Sequence, residues 1–196
     1  AKKMGLPIEK LLIGTNENDI LHRFFINGVY QRSELKETLS PSMDIQVSSN
    51  FERYLFDLAG ESSEKLKFWM NTFENTGQFK IEQNLLRVAQ KDFLSANIND
   101  SEVISTIRKY YDEFEYILDP HTAVGVSAAE KTKLNSPTIC LACAHPAKFN
   151  NTIEKVLGVK QLIPYELDHL HDLETNSETV SCSEENVKNL ILKHLT

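Results

Sequence analysis

Cysteine is scarce in this chain: Cys140, Cys143 and Cys182 are the only three in 196 residues. An odd count excludes a fully paired disulfide framework of the secreted kind and predicts a reducing, cytoplasmic setting. Long apolar runs are also missing. No stretch reaches the length of a membrane span, and the first residues lack a signal-peptide pattern, so membrane association is not expected. Positive charge is in the minority, with 21 Lys+Arg against 28 Asp+Glu and a formal net charge of −7. No basic stripe with interleaved aromatics occurs, which argues against a nucleic-acid partner. No internal repeat or low-complexity tract is visible. What remains is ordinary for a globular protein of one large or two small domains, 41% hydrophobic and 25% charged.

Against that background, three segments stand out because each reads as an apolar strand running into a helix start, with polar residues at the joint. They are Leu11-Leu12-Ile13-Gly14-Thr15 before Asn16-Glu17-Asn18-Asp19, Ile117-Leu118 before Asp119-Pro120-His121-Thr122, and Cys140-Leu141-Ala142-Cys143 before Ala144-His145-Pro146. Asp119 suits an N-cap and Pro120 the first helical position, where a missing N–H costs nothing; Pro146 repeats the pattern. In an open α/β sheet, ligands collect at the carboxyl ends of parallel strands, beside the free N–H groups of helix starts. If the three strands are parallel, Thr15 to Asn18, His121 with Thr122, and Cys143 to His145 share one edge, which is the candidate site.

Between the joints the pattern alternates between strand and helix. Lys2-Lys3-Met4 reads as a helix end closed by Gly5, with Pro7 beyond it. Met43, Ile45 and Val47 alternate as a strand does, and Ser49 with Glu52 has capping-box spacing before Tyr54, Leu55 and Leu58. Residues 60–99 read as an inserted helical layer, with Phe68, Trp69 and Phe73 on one segment and Leu85, Leu86, Val88 and Phe93 on the next. Asp100 is placed as the cap of a helix carrying Val103, Ile104 and Ile107. Phe149, Ile153, Val156 and Leu157 form an amphipathic helix ended by Gly158, and Ser181 with Glu184 has capping-box spacing before Val187, Leu190 and Ile191. The expected division is 1–59 with 100–158 as an α/β domain, 60–99 as a helical insertion, and 159–196 as a helical extension. Asp168, His169, His171 and Asp172 resemble a metal cluster only in composition, and no metal is expected.

The blocks Gly5-Leu6-Pro7-Ile8, Thr15-Asn16-Glu17-Asn18-Asp19, Ser42-Met43-Asp44-Ile45, Ser49-Asn50-Phe51-Glu52-Arg53, Asp119-Pro120-His121-Thr122-Ala123-Val124-Gly125 and Ala144-His145-Pro146-Ala147-Lys148-Phe149 together resemble threonine synthase, in family order. The resemblance covers almost the whole chain and is weakest at 60–115 and after Gly158. It implies the parallel-sheet core of a fold-type-II pyridoxal-phosphate enzyme, present in part. It also implies the last step of threonine biosynthesis, in which O-phospho-L-homoserine and water become L-threonine and phosphate. In that family a lysine holds the cofactor as a Schiff base and a glycine- and asparagine-rich loop cradles its phosphate. Neither element matches here, and Lys91 sits in a helical pattern without the expected context. The chain is therefore expected to be the carboxyl-terminal portion of a longer polypeptide, inactive alone, whose missing amino-terminal half is its first partner.

The resemblance assigns Cys143, where the family usually has threonine, to the pyridine nitrogen of the cofactor. Cys140 is expected in the core, because positions three apart on a strand face opposite sides, which argues against a redox or zinc reading of the C-x-x-C. His121 and Thr122 either position substrate or satisfy backbone groups at the helix start. For His145, a conformational role before Pro146 is enough. Asn50 and Arg53 either meet a substrate phosphate or carboxylate or belong to a cap and a surface pair. Two other functions stay open: a related lyase acting on another phospho-amino acid, and a non-catalytic module that keeps the scaffold.

Overall fold

The structure is a computed structural model that describes residues 1–159, 163–165 and 169–195. Contacts divide the chain into two compact units, Ala1–Gln161 and Leu162–Thr196. The first contains two short sheets. Strand β1 (Leu11–Thr15) pairs in parallel with β4 (Phe93–Asn97), in register from Leu11 opposite Phe93 to Thr15 opposite Asn97. Strand β2 (Val29–Gln31) pairs antiparallel with β3 (Gln78–Lys80).

The parallel pair separates two apolar cores by simple alternation. Ile13 and Phe93 face a core built on Phe24, Phe25, Tyr30, Phe51, Trp69, Phe73 and Phe79. Leu12 and Ala96 face the other, with Val103, Ile107, Leu118, Val124 and Ile153. Successive strand residues point to opposite sides, so one pair of strands serves both cores. The aromatic core is enclosed by α1 (Ile20–Asn27), α2 (Phe51–Leu58), α3 (Ser63–Thr76) and α4 (Gln83–Asp92). Its rings meet mostly edge to face or tilted, as their quadrupoles favour. The second core lies among α5 (Asp100–Phe114), α6 (Pro120–Thr132) and α7 (Asn150–Leu157). Helix α6 is buried on nearly every side and packs directly on β1. A Cβ at Gly14 would lie 3.2 Å from Ala128 Cβ, Val124 Cγ1 and the Val124 carbonyl oxygen, so a larger residue there would push α6 away.

One polar atom in the aromatic core lacks a partner. Tyr30 accepts a 2.8 Å hydrogen bond from the Ser48 N–H, but Tyr54 Oη is buried with none among the described residues. Burial, reinforced by Asp92 and Asp57, pushes the Tyr54 hydroxyl up from 10.0 to about 12. The fold thus favours the protonated form. That contribution is intact below pH 10 and is lost as the pH climbs to about 12, while the unfolded chain has already ionised. Tyr54→Phe is expected to raise stability at neutral pH by up to about 1 kcal/mol, because it removes an unsatisfied hydroxyl. It should also flatten the alkaline loss. Urea midpoints of both proteins at neutral and alkaline pH check this.

Several local expectations hold. Lys2–Met4 is a 3-10 helix closed by left-handed Gly5, and α7 is ended by left-handed Gly158. The carboxyl-terminal helix, α8, spans Glu184–Leu195. Others are corrected. Asn99, not Asp100, caps α5: it accepts from the Glu102 N–H at 3.0 Å while Glu102 Oε2 accepts from the Asn99 N–H. Ser183, not Ser181, caps α8 by accepting from the Asn186 N–H at 3.1 Å. Ser49 and Glu52 form no capping box, since α2 starts after Asn50 with no side-chain cap.

Three expected strands are not strands. Ile117-Leu118 is irregular, with Leu118 buried. Met43 closes a 3-10 helix, Pro41–Met43, and Ile45 and Val47 are exposed. The run 138–144 is irregular and uncovered, with Ile139 88% and Leu141 80% exposed and Cys140 and Cys143 both exposed. Cys140 is therefore not a core residue. Conversely, 60–99 is helical in α3 and α4 but also holds β3 and β4. Phe93 ends α4 in extended geometry, φ −114 and ψ 141, and starts the partner strand of β1.

Candidate functional site

The helix start at α6 carries a buried polar network. Asp119 is 2% exposed. Its Oδ1 accepts from the N–H groups of His121 at 2.9 Å and Thr122 at 3.4 Å, the expected N-cap. The same oxygen lies 3.1 Å from His121 Nδ1. Oδ2 accepts from the Thr122 hydroxyl and from the Ala144 N–H at 3.3 Å. Thr122 Oγ1 in turn accepts from the Cys143 N–H at 2.9 Å. One carboxylate therefore caps a helix and, with Thr122, pins the backbone of Cys143-Ala144.

The orientation of His121 follows from its partners. The backbone N–H of Ser42 reaches His121 Nε2 at 3.1 Å, and because an amide only donates, Nε2 carries the lone pair. The ring proton sits on Nδ1 and is donated to Asp119. The ring also packs on Phe149, centroids 4.8 Å apart. Both nitrogens are engaged and the residue is buried.

Ser42 leads to a second network. Asn16, 1% exposed, donates from Nδ2 to Thr38 Oγ1 at 2.8 Å, Ser40 Oγ at 3.0 Å and Asp44 Oδ1 at 2.7 Å. Asn18 donates to Asp44 Oδ1 at 3.0 Å and to the Lys36 carbonyl at 2.8 Å. Asn18 Oδ1 accepts from the Lys36 N–H and from Gln46 Nε2. Asp44 also accepts from Thr38, through the hydroxyl at 2.7 Å and the N–H at 3.0 Å. Residues 38–44 thus bridge the joint after β1 to the joint at α6.

Of the residues singled out in the sequence, the fold brings His121, Thr122 and Cys143 together, and joins Asn16 and Asn18 to them through Ser40 and Ser42. His145 is exposed, and its Nδ1 accepts from the Ala147 N–H at 3.2 Å, capping the 3-10 helix Pro146–Phe149. Asn50 and Arg53 are exposed at the start of α2. The carboxyl ends of β1 and β4 open onto a polar depression lined by Glu17, Asp19, Arg23, Ser33, Lys36 and Asn97. Both cations there are paired, Lys36 to Glu17 at 3.0 Å and Arg23 to Asp19 at 2.8 Å, and the third lining carboxylate, Glu34, leaves the depression net acidic. Asp168 and the His171 side chain lie outside the described residues, and no metal-binding cluster occurs among those described. Two residues central to the networks were not singled out by sequence reasoning. Asp119 was placed only as a cap, although a histidine two residues on and a threonine three residues on signal more. Asp44 gives no local signal, because its asparagine partners lie 26 and 28 residues away.

The fold and the joints define an α/β partial domain with a small parallel sheet, the type found in one part of a pyridoxal-phosphate enzyme. Over 99% of its length the chain superposes on a pyridoxal-phosphate-bound threonine synthase of Brucella melitensis, with TM-score 0.90 and 36% identity, covering 42% of that chain. The yeast threonine synthase structure matches with TM-score 0.86 and 41% identity, covering 43% of that chain. The threonine synthase of Schizosaccharomyces pombe is 44% identical over 207 residues, 89% of this chain and 40% of that protein. Residues 122–191 match the family model described as threonine synthase, C-terminal. The chain is homologous to the carboxyl-terminal portion of the threonine synthases and spans about two fifths of the length of the relatives it matches. No described helix is long and apolar enough to cross a membrane.

Proposed function

We propose that this chain forms one wall of a threonine synthase active site, in a protein that converts O-phospho-L-homoserine and water to L-threonine and phosphate with pyridoxal phosphate. The observation that carries this reading is the pinned Cys143-Ala144 backbone in a fold that follows a pyridoxal-phosphate-bound threonine synthase throughout. Cys143 suits the role that the resemblance gives it. Its backbone is fixed by Thr122, whereas its exposed thiol makes only a weak 3.6 Å contact with the Leu141 carbonyl. A fixed backbone with an uncommitted donor fits a ring nitrogen. The cofactor, when bound, supplies an electron sink for carbanionic chemistry.

The remaining residues have distinct parts in this reading. His121, with both ring nitrogens engaged, positions the 38–44 segment and does not shuttle protons. Asn16 and Asn18 hold the same segment from the other side. Arg53 has no hydrogen bond or ion pair to its guanidinium among the described residues, so it is available, with Asn50, to a substrate phosphate or carboxylate. His145 Nε2 has no hydrogen-bond partner among the described residues. The cofactor-holding lysine and the phosphate loop are assigned to a segment corresponding to the amino-terminal part of the relatives, and the chain by itself is expected to be inactive.

Replacing the homologous portion of the Schizosaccharomyces pombe enzyme with this chain tests the reading. The chimera is expected to bind pyridoxal phosphate, seen by its absorbance, and to release phosphate from O-phosphohomoserine while forming threonine. Release from phosphothreonine or phosphoserine alone would assign a different lyase activity, and a folded chimera without cofactor binding would leave only a scaffold. In the same chimera, Cys143→Thr should retain the cofactor, since a hydroxyl donates more strongly than a thiol. Loss of cofactor binding in that variant would remove Cys143 from the site.

A further inference from the structure

Thr122 lies in the first turn of α6, the helix that is buried on nearly every side and packs on β1. It is itself 7% exposed. A threonine hydroxyl has one proton to give, and Asp119 Oδ2 takes it. The same hydroxyl oxygen accepts from the Cys143 N–H at 2.9 Å. Both roles of the hydroxyl are thus spent inside the protein. Asp119 Oδ2 also accepts from the Ala144 N–H at 3.3 Å, so the amide protons of residues 143 and 144 both point back at the helix start. With its N–H committed, Cys143 has one donor left, the thiol.

We infer that Thr122 is a positioning residue: it holds the Cys143 thiol at the ring nitrogen of the cofactor and touches neither cofactor nor substrate itself. The cofactor half of this role rests on the threonine synthase reading. The two neighbours divide one carboxylate between them. His121 takes Oδ1 and holds Ser42 and the 38–44 segment, whereas Thr122 takes Oδ2 and holds Cys143. Position passes from helix to segment, because Oδ1 is fixed to α6 by the backbone N–H groups of His121 and Thr122 while 138–144 is irregular. A hydroxyl that donates to a carboxylate is also the stronger acceptor, since hydrogen bonds in series polarise one another. Valine at 122 keeps the shape and removes both bonds. The Cys143 N–H then lacks its acceptor, and the thiol shifts with its backbone. Hydrogen bonds weaken steeply with misalignment, and a thiol is a weak donor to begin with.

In the chimera with the Schizosaccharomyces pombe enzyme, Thr122→Val is expected to weaken pyridoxal-phosphate binding about tenfold and to move the absorbance maximum of the bound cofactor. Cys143→Ala should match it, and Thr122→Ser, which keeps the hydroxyl, should restore both readings. Thr122→Val added to Cys143→Ala should cost nothing more, because no donor is left to position. Losses that multiply would give Thr122 a separate role and overturn this one. The kcat of Thr122→Val should fall with the KM for O-phosphohomoserine unchanged. A raised KM at unchanged kcat would put the hydroxyl on the substrate instead. Amide exchange at Cys143 and Ala144 should accelerate in Thr122→Val, and unchanged exchange would show that Thr122 does not hold them, whatever the cofactor does. Thr122→Ala gives the same readings should the valine variant not fold. A parent chimera that never binds cofactor would end the function and the cofactor half of this role with it, while exchange would still decide whether Thr122 holds Cys143.

Discussion

Asp119→Ala is expected to destabilise the protein by about 4 kcal/mol, the sum of a lost cap and buried donors left unpaired. The Thr122 hydroxyl, His121 Nδ1 and the Ala144 N–H all lose their acceptor in the variant. In a chain of this size that corresponds to a fall in melting temperature on the order of 10 °C. Asp119→Asn separates the contributions. It keeps an oxygen for the cap but turns an amide NH2 toward groups that themselves donate, so about half of the loss should remain. Thermal denaturation followed by circular dichroism reads both variants. A drop below about 1 kcal/mol in Asp119→Ala would mean that water replaces the carboxylate without strain, and that Cys143-Ala144 is not held by it.

The second large effect is expected at Asp44. Its carboxylate accepts from Asn16, Asn18 and, twice, Thr38, and it is the one group common to all three. Asp44→Ala should cost about 3 kcal/mol, less than Asp119→Ala because the carboxylate is only partly buried and water reaches some of the donors. The change should be local before it is global. Amide exchange at Thr38, Lys36 and Ser42 should accelerate while the aromatic core stays protected. Because Ser42 N–H is bound to His121 Nε2, the two networks share one segment. A double-mutant cycle between Asp44→Ala and His121→Ala should therefore show coupling of about 0.5 kcal/mol or more, whereas independent sites would give additive losses.

The elements that were readable in the sequence are those whose signals are local. Gly5 and Gly158 end helices in left-handed geometry with φ 92 and 70. Asp119-Pro120 starts α6, and β1 with α1 follows from the apolar run to Thr15 and the periodic Ile20, Phe24 and Phe25. What misled the reading was apolar content without a partner. Ile139 and Leu141 have strand composition, yet a strand needs a neighbour for its N–H and C=O groups, and none is described beside them. Met43, Ile45 and Val47 alternate correctly, but the side chain of Asp44, between Met43 and Ile45, is claimed by Asn16, Asn18 and Thr38, which wraps the segment over the joint. Phe93-Leu94-Ser95-Ala96-Asn97 went the other way. It continues a helical pattern without a glycine or proline to interrupt it, and only the pairing with β1 makes it a strand.

The candidate site divides along the same line. Sequence by itself placed His121, Thr122, Cys143, Asn16 and Asn18 at joints between elements, because helix starts are marked by short-range capping chemistry and because the blocks resemble one family in order. Only the tertiary structure decided what those side chains do. The Asn16 contact to Ser40 spans 24 residues, Ser42 to His121 spans 79, and Ala144 to Asp119 spans 25. A capping residue is chosen by neighbours within one turn, so it is written in the chain. A buried carboxylate shared by distant donors is chosen by packing, which brings those donors to it only after β1, β4 and α6 have closed on one another.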